Sequence, residues 1–156
     1  MKPMKKQLLA LAVFAAMATP FAALADTSNM NVTASVVGTC RFTATPDAAF
    51  GPLDPALGTD KSATSAVQFW CTKGSTYAFS VGNGANFNTG TSTRQMRGPL
   101  ATDLIPYSVT PVTATGSGTG KSTPITVNLT GTVLGTNYIN ASVGAYSDVV
   151  QLVITP

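Results

Sequence analysis

Asp47, Asp54 and Asp60 fall within one proline- and glycine-rich stretch. Carboxylates grouped in this way are raw material for a divalent-cation site or for a pair flanking a glycosidic bond. The stretch also holds Gly51, Pro52, Pro55 and Gly58, and aspartate in such company ordinarily does turn work, accepting hydrogen bonds from nearby backbone. The turn reading is favoured. Gly116-Ser117-Gly118-Thr119-Gly120-Lys121-Ser122 carries the glycine, lysine and serine of a phosphate-binding loop. It lacks the leading glycine at the required spacing, and no strand-to-helix transition surrounds it. It reads as a flexible loop. The chain has no histidine and no glutamate, so imidazole bases and the usual triads are absent, and an acid/base pair would have to come from six aspartates. These residues do not suggest an enzyme, and they imply no cofactor and no metal. Asn31-Val32-Thr33, Asn128-Leu129-Thr130 and Asn140-Ala141-Ser142 match glycosylation acceptors, but in a chain rich in Asn and Thr they read as chance.

Cys40 and Cys71 are the remaining reactive pair. Their compartment follows from the N-terminus. Lys2, Lys5 and Lys6 precede an apolar run, Leu8 to Ala18, and then the small-x-small site Ala23-Leu24-Ala25. This is the pattern of a secretory signal over residues 1–25, too short to span a bilayer, with the mature chain beginning at Asp26. Two cysteines in an exported chain are expected to form one disulfide, closing a loop of about 30 residues that the chain-entropy account credits with roughly 3–4 kcal/mol. Metal binding and redox catalysis fit poorly without histidine or a C-x-x-C spacing. The leader also carries the whole charge excess. Past it, Arg41, Lys61, Lys73, Arg94, Arg97 and Lys121 balance Asp26, Asp47, Asp54, Asp60, Asp103 and Asp148. Nothing is left to drive binding to a phosphate backbone, so nucleic acid is not an expected partner, and near-zero net charge favours self-association.

The elements that hold these residues read as strands. Beyond the leader the chain is rich in Thr, Ser, Val, Ala, Gly and Asn, poor for helix and good for strands joined by turns. Val32–Thr43 reads as one long run, kinked at Gly38, and Pro46–Asp60 as a connection. Ala63–Thr72 and Tyr77–Gly82 alternate on either side of Lys73-Gly74 and read as a hairpin. Arg94–Arg97 reads as a short edge strand, Leu104–Val112 as a strand broken by Pro106, and Thr115–Gly120 as a loop. Pro124–Val133 and Tyr146–Thr155 complete the set; the last places Val150, Leu152 and Ile154 on one face and Val149, Gln151 and Val153 on the other. Short strands at this spacing, with an early disulfide, indicate an all-β, antiparallel, immunoglobulin-like sandwich, a closed barrel being the competing arrangement. Trp70, beside the disulfide, is expected to serve packing, in the core or as a half-buried surface ring, rather than as a ligand platform.

Several motifs then occur in one order: Val32 to Cys40, Phe50-Gly51-Pro52-Leu53-Asp54-Pro55, Val67 to Gly74, Arg94-Gln95-Met96-Arg97, Pro106-Tyr107, and Gly144-Ala145-Tyr146-Ser147-Asp148-Val149-Val150. Together they resemble the spore coat protein U domain family, which includes subunits of archaic chaperone–usher pili, the Csu-type fimbriae. Ser108-Val109-Thr110-Pro111 departs from the more hydrophobic, acidic turn of many relatives. The resemblance implies an incomplete immunoglobulin-like sandwich, residues 38–156, that lacks one strand. It implies a periplasmic chaperone that lends a strand, an outer-membrane usher, and replacement of the lent strand by the N-terminal extension of another subunit. In this chain the extension is residues 26–37, with Met30, Val32, Ala34 and Val36 on the inserted face, and Val150, Leu152 and Ile154 lining part of the receiving groove. The expected product is a surface fimbria, exported through the periplasm, serving adhesion and biofilm formation.

A different class of function is a self-complete secreted sandwich, a coat or carbohydrate-binding protein. Its N-terminal strand would fold onto its own domain, and Trp70, Tyr77 or Tyr138 would contact ligand.

Overall fold

Residues 61–71 alternate without a break: Ala63, Ser65, Val67, Phe69 and Cys71 are buried and the residues between them are not. A strand shows its side chains to opposite sides in turn, so such a run needs a second layer to cover its apolar face. The computed structural model describes residues 24–156, and the covering layer is a second β-sheet. The signal-peptide expectation falls almost entirely on residues 1–23, outside the described residues. The described chain divides into a stretch without strands, residues 24–34, and a β-sheet body, residues 35–156.

The body holds β1 (Cys40–Ala44), β2 (Lys61–Cys71), β3 (Thr76–Val81), β4 (Arg94–Arg97), β5 (Leu104–Thr110), β6 (Thr113–Ser117), β7 (Ile125–Val133) and β8 (Leu152–Thr155). A single 3-10 turn, Gly135–Asn137, is the only helical element among the described residues. One sheet runs β1-β2-β7-β5-β4 and the other β6-β3-β8, every pairing antiparallel. This is the immunoglobulin-like sandwich that the strand pattern implies. It is not a closed barrel: β1, β4, β6 and β8 each end a sheet.

Two apolar clusters fill the interior. Val67, Phe69, Cys71, Phe79, Val81, Val127 and Leu129 form one; Met96, Ile105, Tyr107, Val133 and Tyr138 form the other. The rings of Phe69 and Phe79 stack across the sandwich at 6.0 Å, and Phe42 meets both edge-on. Cys40 and Cys71 stand opposite each other on β1 and β2 and are joined by the disulfide. Outside, the five-stranded sheet shows two hydroxyl rows across three strands, Ser62–Thr132–Ser108 and Thr64–Thr130–Thr110.

The structure corrects several expectations. β2 and β3 are not a hairpin; they lie in different sheets, and Lys73-Gly74 turns the chain from one layer to the other. In a hairpin Phe69 and Phe79 would stand side by side, whereas in facing sheets each covers the other. The expected loop at 115–120 begins as β6, an edge strand paired with β3. The first long run shortens to Cys40–Ala44 and the last to Leu152–Thr155. Of the two forms expected for Trp70, the structure shows the half-buried surface ring, on the outward side of β2 opposite Arg41, because Phe69 and Cys71 take the inward positions. Tyr138 is 1% exposed and donates its hydroxyl to Thr59 O, so it offers no exposed platform for a ligand.

Candidate functional site

A sandwich whose layers match in width covers its own interior. Here one layer has five strands and the other three, and the terminal strands β1 and β8 approach each other without pairing. Between the layers runs a groove of about 1240 Å³. Its floor comes from both sheets: Phe42 of β1, Val81 of β3, Met96 of β4, Ile105, Tyr107 and Val109 of β5, Leu129 of β7 and Leu152 of β8. Its sides are irregular chain, residues 45–53 with Phe50 and Leu53, and residues 141–148 leading into Val150. Phe42, Phe50, Leu53, Val109, Val150 and Leu152 are only half-buried. Apolar surface left open on this scale marks a place where something binds.

Local sequence chemistry shapes the groove. Phe50 lies over Gly131 of β7, where a Cβ would stand 2.9 Å from the ring, and it meets Tyr107 edge-on at 6.3 Å. The buried Ser65 hydroxyl donates to Pro46 O and fastens the start of the 45–53 segment to β2. Asp54 accepts the N–H of Ala56 at 2.9 Å, and Asp60 accepts that of Gly135 at 2.8 Å; both therefore serve turns and loop anchoring. The glycines of the lysine-bearing loop are spent in the same way. Gly118 N–H donates to Ser75 O at 2.7 Å and Gly120 N–H to Cys71 O at 3.0 Å. Those two donors are taken by the fold and are not free to cradle a phosphate.

Three of the ordered motifs meet at one point on the groove wall. Tyr107 donates its hydroxyl to Asp148 Oδ2 at 2.6 Å. The other oxygen of Asp148 accepts from Asn86 N at 3.1 Å and Asn86 Nδ2 at 3.0 Å. Arg94 donates to the carbonyls of Gly82 and Val81 at 2.9 and 3.2 Å. Gly84, at φ +90°, is required here, since a Cβ would fall 2.1 Å from Asp148 Oδ2. The knot ties residues 81–86, β5 and the approach to β8 into one frame.

Burial first, then the hydrogen bond to Asp148 and its charge, raise the Tyr107 hydroxyl well above the ordinary tyrosine value, with a smaller opposing pull from Arg94. The folded state therefore keeps this proton longer than the unfolded chain does. Its contribution to stability is complete below about pH 10 and falls as the pH rises past that value. Denaturant titrations from neutral to strongly alkaline pH should show that decline, and Tyr107→Phe should flatten it while costing about 1.5–3 kcal/mol at neutral pH.

Of the residues expected to receive a strand, Val150 and Leu152 line the groove. Ile154 turns inward too, but it lies opposite Phe79 and packs on the first core cluster instead. Val149 and Val153 face outward. Met30, Val32 and Ala34 belong to the strandless stretch, and Met30, Val32 and Val36 are 84%, 81% and 86% exposed. Sequence reasoning missed Phe50, Leu53, Met96 and Tyr107 as groove residues. Phe50-Gly51-Pro52-Leu53 was the available signal, two large apolar residues inside a connection that had no evident core to fill.

Comparison with known proteins agrees with this architecture. The chain is 32% identical over 160 residues to Protein U of Myxococcus xanthus, with 88% of each chain covered. Among solved structures, it is similar to a chain in the CsuC–CsuE chaperone–tip adhesion subunit pre-assembly complex from archaic chaperone–usher Csu pili of Acinetobacter baumannii. The TM-score is 0.52 at 19% identity, over 77% of this chain. The present chain spans 40% of the length of that one, and the likeness is one of fold. The Spore Coat Protein U domain matches residues 26–153, nearly the whole described chain, and the protein belongs to that family.

Proposed function

We propose that this chain is a structural subunit of a surface fimbria, and that its groove is the seat of a strand supplied by another molecule. The observation that carries the reading is the open apolar groove of about 1240 Å³ beside the unpaired edges of β1 and β8. An added strand would pair its backbone with a free edge and set alternate side chains into the groove. Residues 30–36 have the matching pattern, with Met30, Val32, Ala34 and Val36 on one face. Burying the three larger side chains contributes about 5–9 kcal/mol before ordering costs. The family assignment supports the same reading. In it, the chain is exported through the periplasm, a chaperone fills the groove first, an outer-membrane usher hands the subunit on, and the fibre serves adhesion and biofilm formation. Catalysis has no part in this function.

Deleting residues 26–36 tests the proposal. The truncated chain should still fold and bind its chaperone, yet fail to polymerise. If truncation instead unfolds the isolated domain, the segment is a strand of its own sandwich and the coat or carbohydrate-binding reading takes over. Fibres formed at full yield by the truncated chain would also end the proposal.

A further inference from the structure

Thr72 follows β2 directly and grips the chain just ahead of β1. Its N–H donates to Thr39 O at 2.9 Å, its hydroxyl accepts the N–H of Thr39 at 3.1 Å, and that hydroxyl donates to Val37 O, also at 3.1 Å, with Thr39 O further off at 3.4 Å. One side chain thus satisfies the backbone on both sides of Gly38. Gly38 lies close in, since a Cβ there would stand 2.9 Å from Ser75 Oγ and 3.5 Å from Pro156 Cβ. The disulfide one residue away fixes the same corner, with Cys40 and Cys71 Cα atoms 4.1 Å apart. Residues 37–39 carry no turn.

The clamp bears on which groove the tail can enter. The tail is continuous with β1. To lie along the free edge of its own β1, it would have to reverse over residues 37–39 and form a hairpin. A tight hairpin uses the carbonyl and N–H groups around the reversal to pair its two strands. Val37 O and Thr39 N–H are those groups, and Thr72 already holds them. Closing on itself therefore costs the chain its clamp, whereas entering the groove of a second copy leaves residues 37–39 as they are. We propose that Thr72 is a positioning residue that directs the tail away from its own groove and into that of another copy of this chain. The inference rests on the reading of the groove as a strand acceptor.

The test uses the full chain with its disulfide formed, compared as wild type, Thr72→Val and Thr72→Ser. Thr72→Val keeps the shape and removes the hydroxyl; Thr72→Ser keeps the hydroxyl. In dilute monomers, proteinase K should cut residues 26–36 of wild type and Thr72→Ser. In Thr72→Val the tail should be protected independently of protein concentration, and fibre formation should slow roughly tenfold, as expected when a competing closed state gains about one hydrogen bond's worth of population. Gly38→Val, which pushes the chain off the clamp without touching β2, should act in the same direction. If both variants keep wild-type tail sensitivity and fibre yield, the inference is overturned. A synthetic peptide of residues 26–37 separates this failure from that of the groove reading. A peptide that does not bind wild type defeats the groove itself; one that binds while Thr72→Val behaves as wild type defeats only the clamp.

Discussion

Replacing Val32 with aspartate should stop fibre assembly while leaving the folded subunit intact. Val32 is 81% exposed in the subunit, so a carboxylate there has water around it and little to disturb. An exposed change of this kind moves stability by no more than about 0.5 kcal/mol. In the groove the same side chain would meet Ile105, Leu129 and Leu152 or their neighbours. Losing the burial of a valine removes about 1.5–3 kcal/mol, and an unpaired carboxylate in an apolar site costs several kcal/mol more. A total above about 4 kcal/mol weakens subunit association by a factor on the order of 1,000. Sedimentation of fibres, set beside the melting temperature of the monomer, measures both sides. Thr33→Asp is the control, because alternation turns position 33 away from the groove. Equal loss of assembly in Thr33→Asp and Val32→Asp, or full assembly in Val32→Asp, would contradict the proposed face.

Phe69→Ala should be the most damaging single change in the body. Phe69 is completely buried, stacks on Phe79, and meets Tyr77 and Phe42 edge-on. Removing a buried phenyl ring costs about 3–5 kcal/mol, because neighbours on two facing sheets cannot close over the space. That is a large share of the 5–15 kcal/mol total typical of a domain. A sandwich with an open groove has less interior to draw on than a closed one. The expected fall in melting temperature is on the order of 10–20 °C. Thr64→Ala, on the outer hydroxyl rows, should change it by only a degree or two. A Phe69→Ala chain that melts within a few degrees of wild type would show that the stacked pair is not the centre of the core.

The strands that could be read from the sequence are those whose alternation continues for their full length. β2, β3 and β7 begin and end within about two residues of where alternation places them, and Arg94–Arg97 is found as expected. Alternation names an apolar face but is silent about what stands beside a strand. For that reason residues 32–36 and 146–150 look like strands in the sequence, yet the first forms no pairing in the subunit and the second only a single bridge, Ser147 to Arg97. Lys73-Gly74 illustrates the same limit. A tight turn fits both a hairpin and a passage between layers, and only the facing of Phe69 on Phe79 decides between them. Alternation puts Val150 and Leu152 on one face, and both line the groove, although Ile154 of the same face does not. The groove was hidden on the side of Phe50 and Leu53, where prolines and glycines make the chain look like a mere connection. Tyr107 and Asp148 are 41 positions apart, and no local pattern announces their bond.

The outer rows Ser62–Thr132–Ser108 and Thr64–Thr130–Thr110 carry hydroxyls and no formal charge. Dissolved ions act on a surface chiefly by screening its charges, and these rows offer nothing to screen. At these two rows, the protein meets rainwater and brine on the same terms.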